Sequence, residues 1–301
     1  MSNGLKFNTA MDFAYGVADT MTPGVQRLVA NNASPLTFKG TNTYLVGAHA
    51  LAVIDPGPAD EAHVDAILKA TGGRPITHIL LTHAHRDHVD GLEALKAATG
   101  ATAYGFPRVP TAAENGDDDS ASEYVNTAYA PDVPLAHGDR VEGEGWALSA
   151  LHTPGHTADH LCFALQGRGI VFSGDHVMAW NTSVVAPPEG RMADYLRSLE
   201  ILLERRDEML LPGHGGPVVE PRRTVKAYLL HRRWREQAIL EAVRKGADTV
   251  RKLMPVIYRD LDEEVAGAAR LSLRAHLEHL VERGLITCAD AADVDCVAVP
   301  L

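Results

Sequence analysis

The stretch that decides the fold is Ile79-Leu-Leu-Thr-His83-Ala-His85-Arg-Asp87-His88-Val-Asp90-Gly91. Its apolar start predicts a buried β-strand, and four potential metal ligands follow it within six residues. His83 and His85 alternate, so in an extended segment their imidazoles point the same way. Asp87 and His88 follow in a predicted turn and point to a second position close by. Imidazole and carboxylate are ligands for zinc, iron or manganese, so the stretch predicts a metal site.

Three later segments repeat one pattern, an apolar run followed by glycine and a potential ligand. They contain His156 after Leu151-His-Thr-Pro-Gly, Asp175 after Ile170-Val-Phe-Ser-Gly, and His214 after Leu210-Leu-Pro-Gly. A glycine at this place lets the chain approach a metal without a side chain in the way. Together with the first cluster, these residues complete two sets of metal ligands.

The first two thirds of the chain alternate short β-type runs with helical stretches. We predict strands at 44–46, 51–54, 79–81, 101–104, 146–151, 160–165, 170–173 and 209–211, and helices at 61–71, 91–99 and 192–205. The order suggests two similar halves. The fold class is therefore α/β (α+β), with two sheets facing each other and helices outside.

After Pro221 the sequence becomes helical. Apolar spacing predicts helices over 222–245, 249–258 and 265–284 and a short strand at 285–287, which is typical of a compact winged-helix module. The proline-containing stretch 217–221 is the expected boundary. We therefore predict a catalytic domain over 1–218 and a winged-helix-like domain over 219–301.

Composition is that of an ordinary globular protein. The chain has 301 residues, of which 46% are hydrophobic and 22% are charged. No apolar run is long enough for a membrane span, and residues 1–8 lack the apolar core of a secretory signal, which predicts a cytoplasmic protein. Three cysteines without close pairing argue against a disulfide framework or a thiolate zinc site.

These motifs resemble the metallo-β-lactamase-fold superfamily, whose architecture is an αββα sandwich. The resemblance implies His83, His85 and His156 on one metal. Asp87, His88 and His214 would hold a second metal, with Asp175 bridging the two. Asp55, in Ile54-Asp-Pro-Gly, matches the acid that supports such a site from behind the ligands. The implied cofactor is two Zn²⁺, with iron or manganese also acceptable to these ligands.

A subgroup within that superfamily is also indicated. The segments beginning Phe38-Lys-Gly-Thr-Asn-Thr-Tyr, Thr153-Pro-Gly-His-Thr-Ala-Asp-His and His231-Arg-Arg-Trp-Arg-Glu-Gln look like the lactamase-beta-2 type, in which a winged-helix domain follows the sandwich. True zinc β-lactamases typically have cysteine where Asp175 stands. A carboxylate resembles the glyoxalase II, lactonase and nuclease branches, so antibiotic hydrolysis is not the expected activity.

The resemblance implies a hydrolase in which a hydroxide bridging two metals attacks a carbonyl carbon or phosphorus. Asp175 and Asp87 are then catalytic as well as ligating, and Asp87 is a candidate for moving a proton. His160 is expected to contact the substrate or protonate the leaving group, or else to pack behind the site. Trp180, in a loop expected to border the site, is a candidate for an apolar wall.

Three functions remain open at this point. The first is hydrolysis of a small-molecule ester or thioester, which suits an acidic chain of net charge −11. The second is cleavage of single-stranded RNA, for which Arg232, Arg233, Arg235, Arg244, Lys245 and Lys252 are candidate phosphate contacts. The third is a non-catalytic binding protein that is stabilised by metal. The C-terminal domain is a candidate homodimer contact.

Overall fold

Two β-sheets form the N-terminal part of the chain. The computed structural model describes residues 5–108, 110, 123–259, 261–288 and 298–300. In these residues the first sheet has the strand order β1-β2-β3-β4-β5-β6-β7 and the second β12-β11-β10-β9-β8. The first contains β1 (Asp19–Thr22), β2 (Val25–Val29), β3 (Asn42–Val46), β4 (Leu51–Ile54), β5 (Ile76–Leu81), β6 (Thr102–Gly105) and β7 (Val133–Pro134). The second contains β8 (Arg140–Gly143), β9 (Trp146–His152), β10 (Leu161–Leu165), β11 (Ile170–Gly174) and β12 (Met209–Pro212).

Helices occur where parallel neighbours require a crossover. The parallel pairs β4/β5, β5/β6 and β11/β12 are each connected through helical segments, as parallel pairing demands. These are α1 (Glu61–Ala70), α2 (Arg86–Val89), α3 (Leu92–Thr99) and α4 (Met192–Glu204). The pair β6/β7 is also parallel. The other strand pairs within the two sheets are antiparallel.

The core lies in layers on both faces of the two sheets. Between the sheets, Tyr44 and Leu80 of the first pack in one cluster with Phe163 and Phe172 of the second. On the outer face of the first sheet, Ile79 and other strand residues pack against α1 and α3. Strands β3, β4, β10 and β11 are therefore buried on both faces. This confirms the predicted αββα sandwich.

The predicted strands and helices are all present, with ends that differ by a few residues. Five strands were not predicted, namely β1, β2, β7, β8 and β14. Strand β7 has only two residues, and β8 contains a single buried apolar side chain, Val141. In β2 the apolar pattern is interrupted by Arg27, which is nonetheless buried and paired with Asp19 of β1. A charged side chain that finds its ion-pair partner only in the tertiary structure masked the period of this strand.

The C-terminal part contains the winged-helix arrangement. It consists of α5 (Pro221–Arg244), α6 (Val250–Ile257), α7 (Ala266–Glu282) and the antiparallel strands β13 (Ile286–Cys288) and β14 (Ala298–Pro300). The first turns of α5 pack with α4 on the second sheet, and its last turns pack with α6 and α7. One helix thus belongs to both cores, and the boundary at residue 218 stays a prediction. Within the described residues, no helix is long and apolar enough to cross a membrane.

Candidate metal centre

The predicted ligands follow strand ends that meet at one edge of the sandwich. The cluster from His83 to His88 follows β5, His156 follows β9, Asp175 follows β11, and His214 follows β12. Strands β9, β11 and β12 run in the same direction, because β9 and β11 are both antiparallel to β10. Ligands that lie far apart in sequence are therefore brought together by the sheet topology.

One group of ligand atoms comes from His83, His85, His156 and Asp175. Nδ1 of His85 lies 2.9 Å from Nε2 of His83 and 3.1 Å from Nε2 of His156. Nε2 of His156 lies 3.6 Å from Oδ2 of Asp175. The four atoms surround one point, as the ligands of a single ion do.

A second group comes from Asp87, His88 and His214. Oδ2 of Asp87 lies 3.3 Å from Nε2 of His88 and 3.3 Å from Nε2 of His214. Asp175 also reaches this group, because its Oδ1 lies 3.5 Å from Nε2 of His88 and its Oδ2 lies 3.3 Å from Nε2 of His214. Asp175 therefore stands between the two groups.

The chemistry and spacing of these atoms fit metal ions. A tetrahedral ion with bonds of 2.0–2.1 Å has ligand atoms about 3.3 Å apart, which is close to the separations within both groups. Nε2 of His88 and Oδ1 of Asp175 are buried and have no hydrogen-bond partner. Unpartnered buried polar atoms are rare in folded proteins and require a compensating ligand. The cluster is therefore able to hold metal ions.

Burial and neighbouring charges shift the pKa values of the ligand side chains. Burial, together with neighbouring imidazoles, holds the pKa of His83 well below its usual value and lowers that of His156 to about 4, so both are neutral at pH 7. Burial favours the neutral acid of Asp175, but His214 and His88 outweigh it and hold the Asp175 pKa well below its usual value. For His88 the carboxylates overcome burial and raise the pKa to about 10. In the metal-free protein, these carboxylates therefore favour the protonated imidazole of His88.

Four of the five ligand imidazoles use their other nitrogen for a hydrogen bond that orients the ring. Such contacts select the tautomer and the direction of the metal-binding nitrogen. The contacts are His83 Nδ1 to Thr82 Oγ1 at 2.9 Å, His88 Nδ1 to Asp55 Oδ2 at 2.8 Å, His156 Nδ1 to the Val184 carbonyl at 2.6 Å, and His214 Nδ1 to the Gly40 carbonyl at 3.3 Å.

Asp55 lies directly behind the ligands. Its carboxylate accepts hydrogen bonds from the main-chain N–H of Thr82 at 2.8 Å and from the Thr82 hydroxyl at 2.7 Å, besides contacting His88. Its backbone has a φ of 51°, an unusual conformation for a residue other than glycine. The surrounding contacts therefore hold Asp55 in the one orientation that serves both Thr82 and His88.

We expect Asp55→Asn to lower metal affinity and kcat/KM by about 10- to 100-fold, because an amide cannot replace a carboxylate that accepts from both Thr82 and His88. Zinc affinity is measured by competition with a chelator. Asp65→Asn is the matched control, since Asp65 is exposed on α1. Equal zinc affinity in the two variants would contradict this role of Asp55.

His160 does not have the contacts of a substrate-binding residue. Its ring is fully buried, Nδ1 lies 2.9 Å from the Thr153 hydroxyl, and Nε2 accepts from the main-chain N–H of Asp175 at 3.1 Å. Both nitrogens are therefore used within the protein. Of the two roles predicted for His160, this geometry favours packing behind the site, where the ring contacts the main chain of Asp175.

Glu189 is a residue of the site that the sequence did not reveal. Its Oε2 lies 3.6 Å from Nε2 of His85, and its Oε1 is buried without a hydrogen-bond partner. His85 therefore faces the other ligands through Nδ1 and Glu189 through Nε2. The segment Pro187-Pro188-Glu189 has no ligand-like spacing, so only the path of the loop identifies this carboxylate.

Comparisons with protein-family models agree with this geometry. The model of the metallo-beta-lactamase superfamily matches residues 36–214, which is more than half of the chain. The model of the beta-lactamase associated winged helix domain matches residues 249–292. Both parts of the fold therefore have a counterpart among known families.

Individual proteins show the same relationship. The chain is 31% identical over 292 residues to the beta-lactamase-like protein 2 homolog of Drosophila melanogaster, which covers 91% of this chain and 93% of that protein. It is 28% identical over 260 residues to the atrochrysone carboxyl ACP thioesterase of Aspergillus chevalieri, over 83% of this chain and 78% of that one. A beta-lactamase domain protein from Burkholderia ambifaria has the same fold, with a TM-score of 0.82 and 21% identity over 99% of this chain and 97% of that one. The chain belongs to the metallo-β-lactamase superfamily of hydrolases and carries the winged-helix domain associated with it.

Proposed function

We propose that this protein is a binuclear, zinc-dependent hydrolase of a small-molecule ester or thioester. The observation that carries the proposal is the position of Asp175, whose carboxylate contacts ligand atoms of both groups while its Oδ1 has no hydrogen-bond partner. A shared carboxylate is what two neighbouring ions need. Imidazole and carboxylate ligands are compatible with zinc, and iron or manganese are the alternatives that metal analysis separates.

Bound zinc would lower the pKa of water to near 7 and polarise the substrate carbonyl. The side chains around the metal site would orient the substrate and accept or donate protons. Asp87 is the ligand best placed to move a proton, because its side chain is 27% exposed whereas that of Asp175 is 11% exposed. Burial opposes ionisation of Asp87, but His88 and His214 lower its pKa, so the carboxylate is charged at neutral pH. Thr41 donates a hydrogen bond to Asp87 Oδ2 at 2.9 Å and fixes it.

The thioester is the substrate class that we favour. One relative is named as an acyl-carrier-protein thioesterase. An aromatic pair also lies next to the second ligand group, because Trp180 stacks on Phe38 with ring centroids 4.8 Å apart and packs over Gly215, the residue after His214. Such rings offer a flat apolar surface for an acyl group. The carboxylate at position 175, in place of the cysteine typical of zinc β-lactamases, argues against antibiotic hydrolysis.

Cleavage of RNA is the weaker candidate. Two of the basic residues proposed for phosphate contact are used inside the protein, because Arg232 is only 3% exposed and the Arg235 guanidinium lies 4.2 Å from the centre of the Tyr258 ring. Lys252 pairs with Asp248 at 2.7 Å. The basic segment is thus less available to a polyanion than its sequence suggests. A non-catalytic role is disfavoured because every ligand position is filled. Cytoplasmic location and a homodimer stay predictions.

To test this proposal, the metal content of the purified protein is measured first. Hydrolysis of an acyl-pantetheine thioester and of labelled single-stranded RNA is then measured before and after chelation. We expect two zinc ions per chain and thioester hydrolysis that chelation abolishes and zinc restores. Asp87→Asn should abolish it as well, whereas Asp90→Asn should not, because Asp90 binds Asn126 and Arg86 instead of the ligands. RNA cleavage lost in Asp87→Asn would make the protein a nuclease, and one ion or none would contradict the binuclear proposal.

A further inference from the structure

Arg232 belongs to the segment His231-Arg-Arg-Trp-Arg-Glu-Gln, which distinguishes the subgroup in sequence but supplies no metal ligand. It lies on α5 and is buried, with 3% of its surface exposed. Among the residues that the structure describes, no carboxylate forms an ion pair with it. A buried cation without an acidic partner is costly. Other contacts of Arg232 must therefore offset the cost of burying its charge.

Those contacts lie on the loop between β11 and α4. Nη2 of Arg232 donates a hydrogen bond to the main-chain carbonyl of Ser183. The guanidinium carbon lies 5.1 Å from the centre of the Tyr195 ring, which supplies a cation–π contact. One helical turn earlier on α5, the Tyr228 hydroxyl contacts the carbonyl oxygens of Met178 and Asn181. Side chains of α5 thus hold this loop by its main-chain carbonyl groups, so these contacts do not depend on the side chains of the loop.

The same loop is bonded to two ligands of the first group, one of which is the shared ligand Asp175. The Ser183 hydroxyl donates to the main-chain carbonyl of Asp175, the shared ligand. The next carbonyl, that of Val184, accepts from Nδ1 of His156 at 2.6 Å. Arg232 therefore holds a dipeptide that orients two ligands, and no other residue separates it from that dipeptide.

We propose that Arg232 is a positioning residue for the metal centre, through which the C-terminal helical part sets metal affinity. By holding the Ser183 carbonyl, it restrains the adjoining peptide unit, whose Val184 carbonyl is bonded to Nδ1 of His156 and orients that ring. Contacts of this kind around ligands change metal affinity by about 10- to 100-fold. The inference requires only that the cluster binds metal, and it holds for either substrate class.

The test uses the full chain and cobalt(II) as the probe, with affinity measured by competition with a coloured chelator and the site observed by its visible absorption spectrum. Arg232→Gln is expected to lower cobalt affinity by about 10- to 100-fold and to change the spectrum. Arg233→Gln is the matched control, since the Arg233 side chain is 64% exposed and its ion pair with Glu200 is 3.8 Å long. A wild-type cobalt affinity in Arg232→Gln would overturn the proposal.

A double-mutant cycle separates positioning from general stability. Ser183→Ala removes the hydroxyl that holds Asp175, so if Arg232 acts through this loop, the double variant loses less affinity than the product of the two single losses. Losses that multiply would show that the two residues act independently and would overturn the proposal. Arg232→Lys retains a buried cationic donor and is expected to recover part of the affinity. It replaces Arg232→Gln in the cycle if the glutamine variant does not fold.

Discussion

Replacing Asp175 with asparagine is expected to lower kcat/KM by about 10³-fold or more and to reduce the metal content of the protein. The charge of this carboxylate is shared by both ligand groups, so the change weakens both at once. The remaining imidazoles of His88 and His214 then lack the carboxylate that lies 3.3–3.5 Å from their Nε2 atoms. Loss of several kcal/mol of transition-state stabilisation corresponds to this factor.

Metal analysis and thioester kinetics on the same preparation measure this effect. Asp139→Asn is a suitable control, because Asp139 is exposed and its side chain accepts from the main-chain N–H of Ala136 in a surface turn. An Asp175→Asn protein that retains two ions and loses less than about tenfold in kcat/KM would contradict a bridging role. Partial activity with one ion would show that a single occupied group suffices.

The second large effect is expected from Gly213→Ala, although the glycine is not itself a ligand. A methyl group at this position would lie 2.5 Å from Oδ1 of Asp175 and 2.6 Å from Cε1 of His88. Both atoms belong to ligand side chains that must move to admit it. A displacement of about 1 Å at a reacting site costs on the order of 100-fold in rate, so we expect at least that loss together with weaker metal binding.

Gly267→Ala provides the matched comparison. Gly267 lies on α7, where an added methyl group meets no atom within 4 Å, and alanine favours a helix. Thermal unfolding of both variants, together with zinc affinity, distinguishes a local effect from loss of the fold. If Gly213→Ala binds zinc like the wild-type protein, the close packing around the ligands is not required for the site.

The candidate ligands could be recognised in the sequence because each local pattern carries its own chemistry. His83 to His88 follow one apolar strand, and a glycine precedes His156, Asp175 and His214. The structure shows why two of these glycines are present: methyl groups at Gly174 and Gly213 would collide with His160 and with Asp175, respectively. The layered fold was also predictable, because the strands buried on both faces are mostly apolar and the helices have a separate period.

Other features could not be read from local patterns. His160 has the same residue type and a similar spacing as a ligand, but its neighbours Thr153 and Asp175 use both of its nitrogens. Glu189 and Arg232 lie in segments without any ligand spacing. The role of each of these two side chains depends on its contacts with segments far away in sequence. Those contacts form only when the loop and helix α5 pack against the rest of the fold.

The sequence by itself therefore determined the residue types that can bind metal, the strands that present them and the two-part organisation of the chain, because these follow from short-range periodicity and ligand chemistry. Only the tertiary structure decided that Asp175 lies between two ligand groups, that His160 faces inward and that α5 reaches the loop behind His156. These are contacts between segments far apart in sequence, and their distances depend on how the sheets and helices pack.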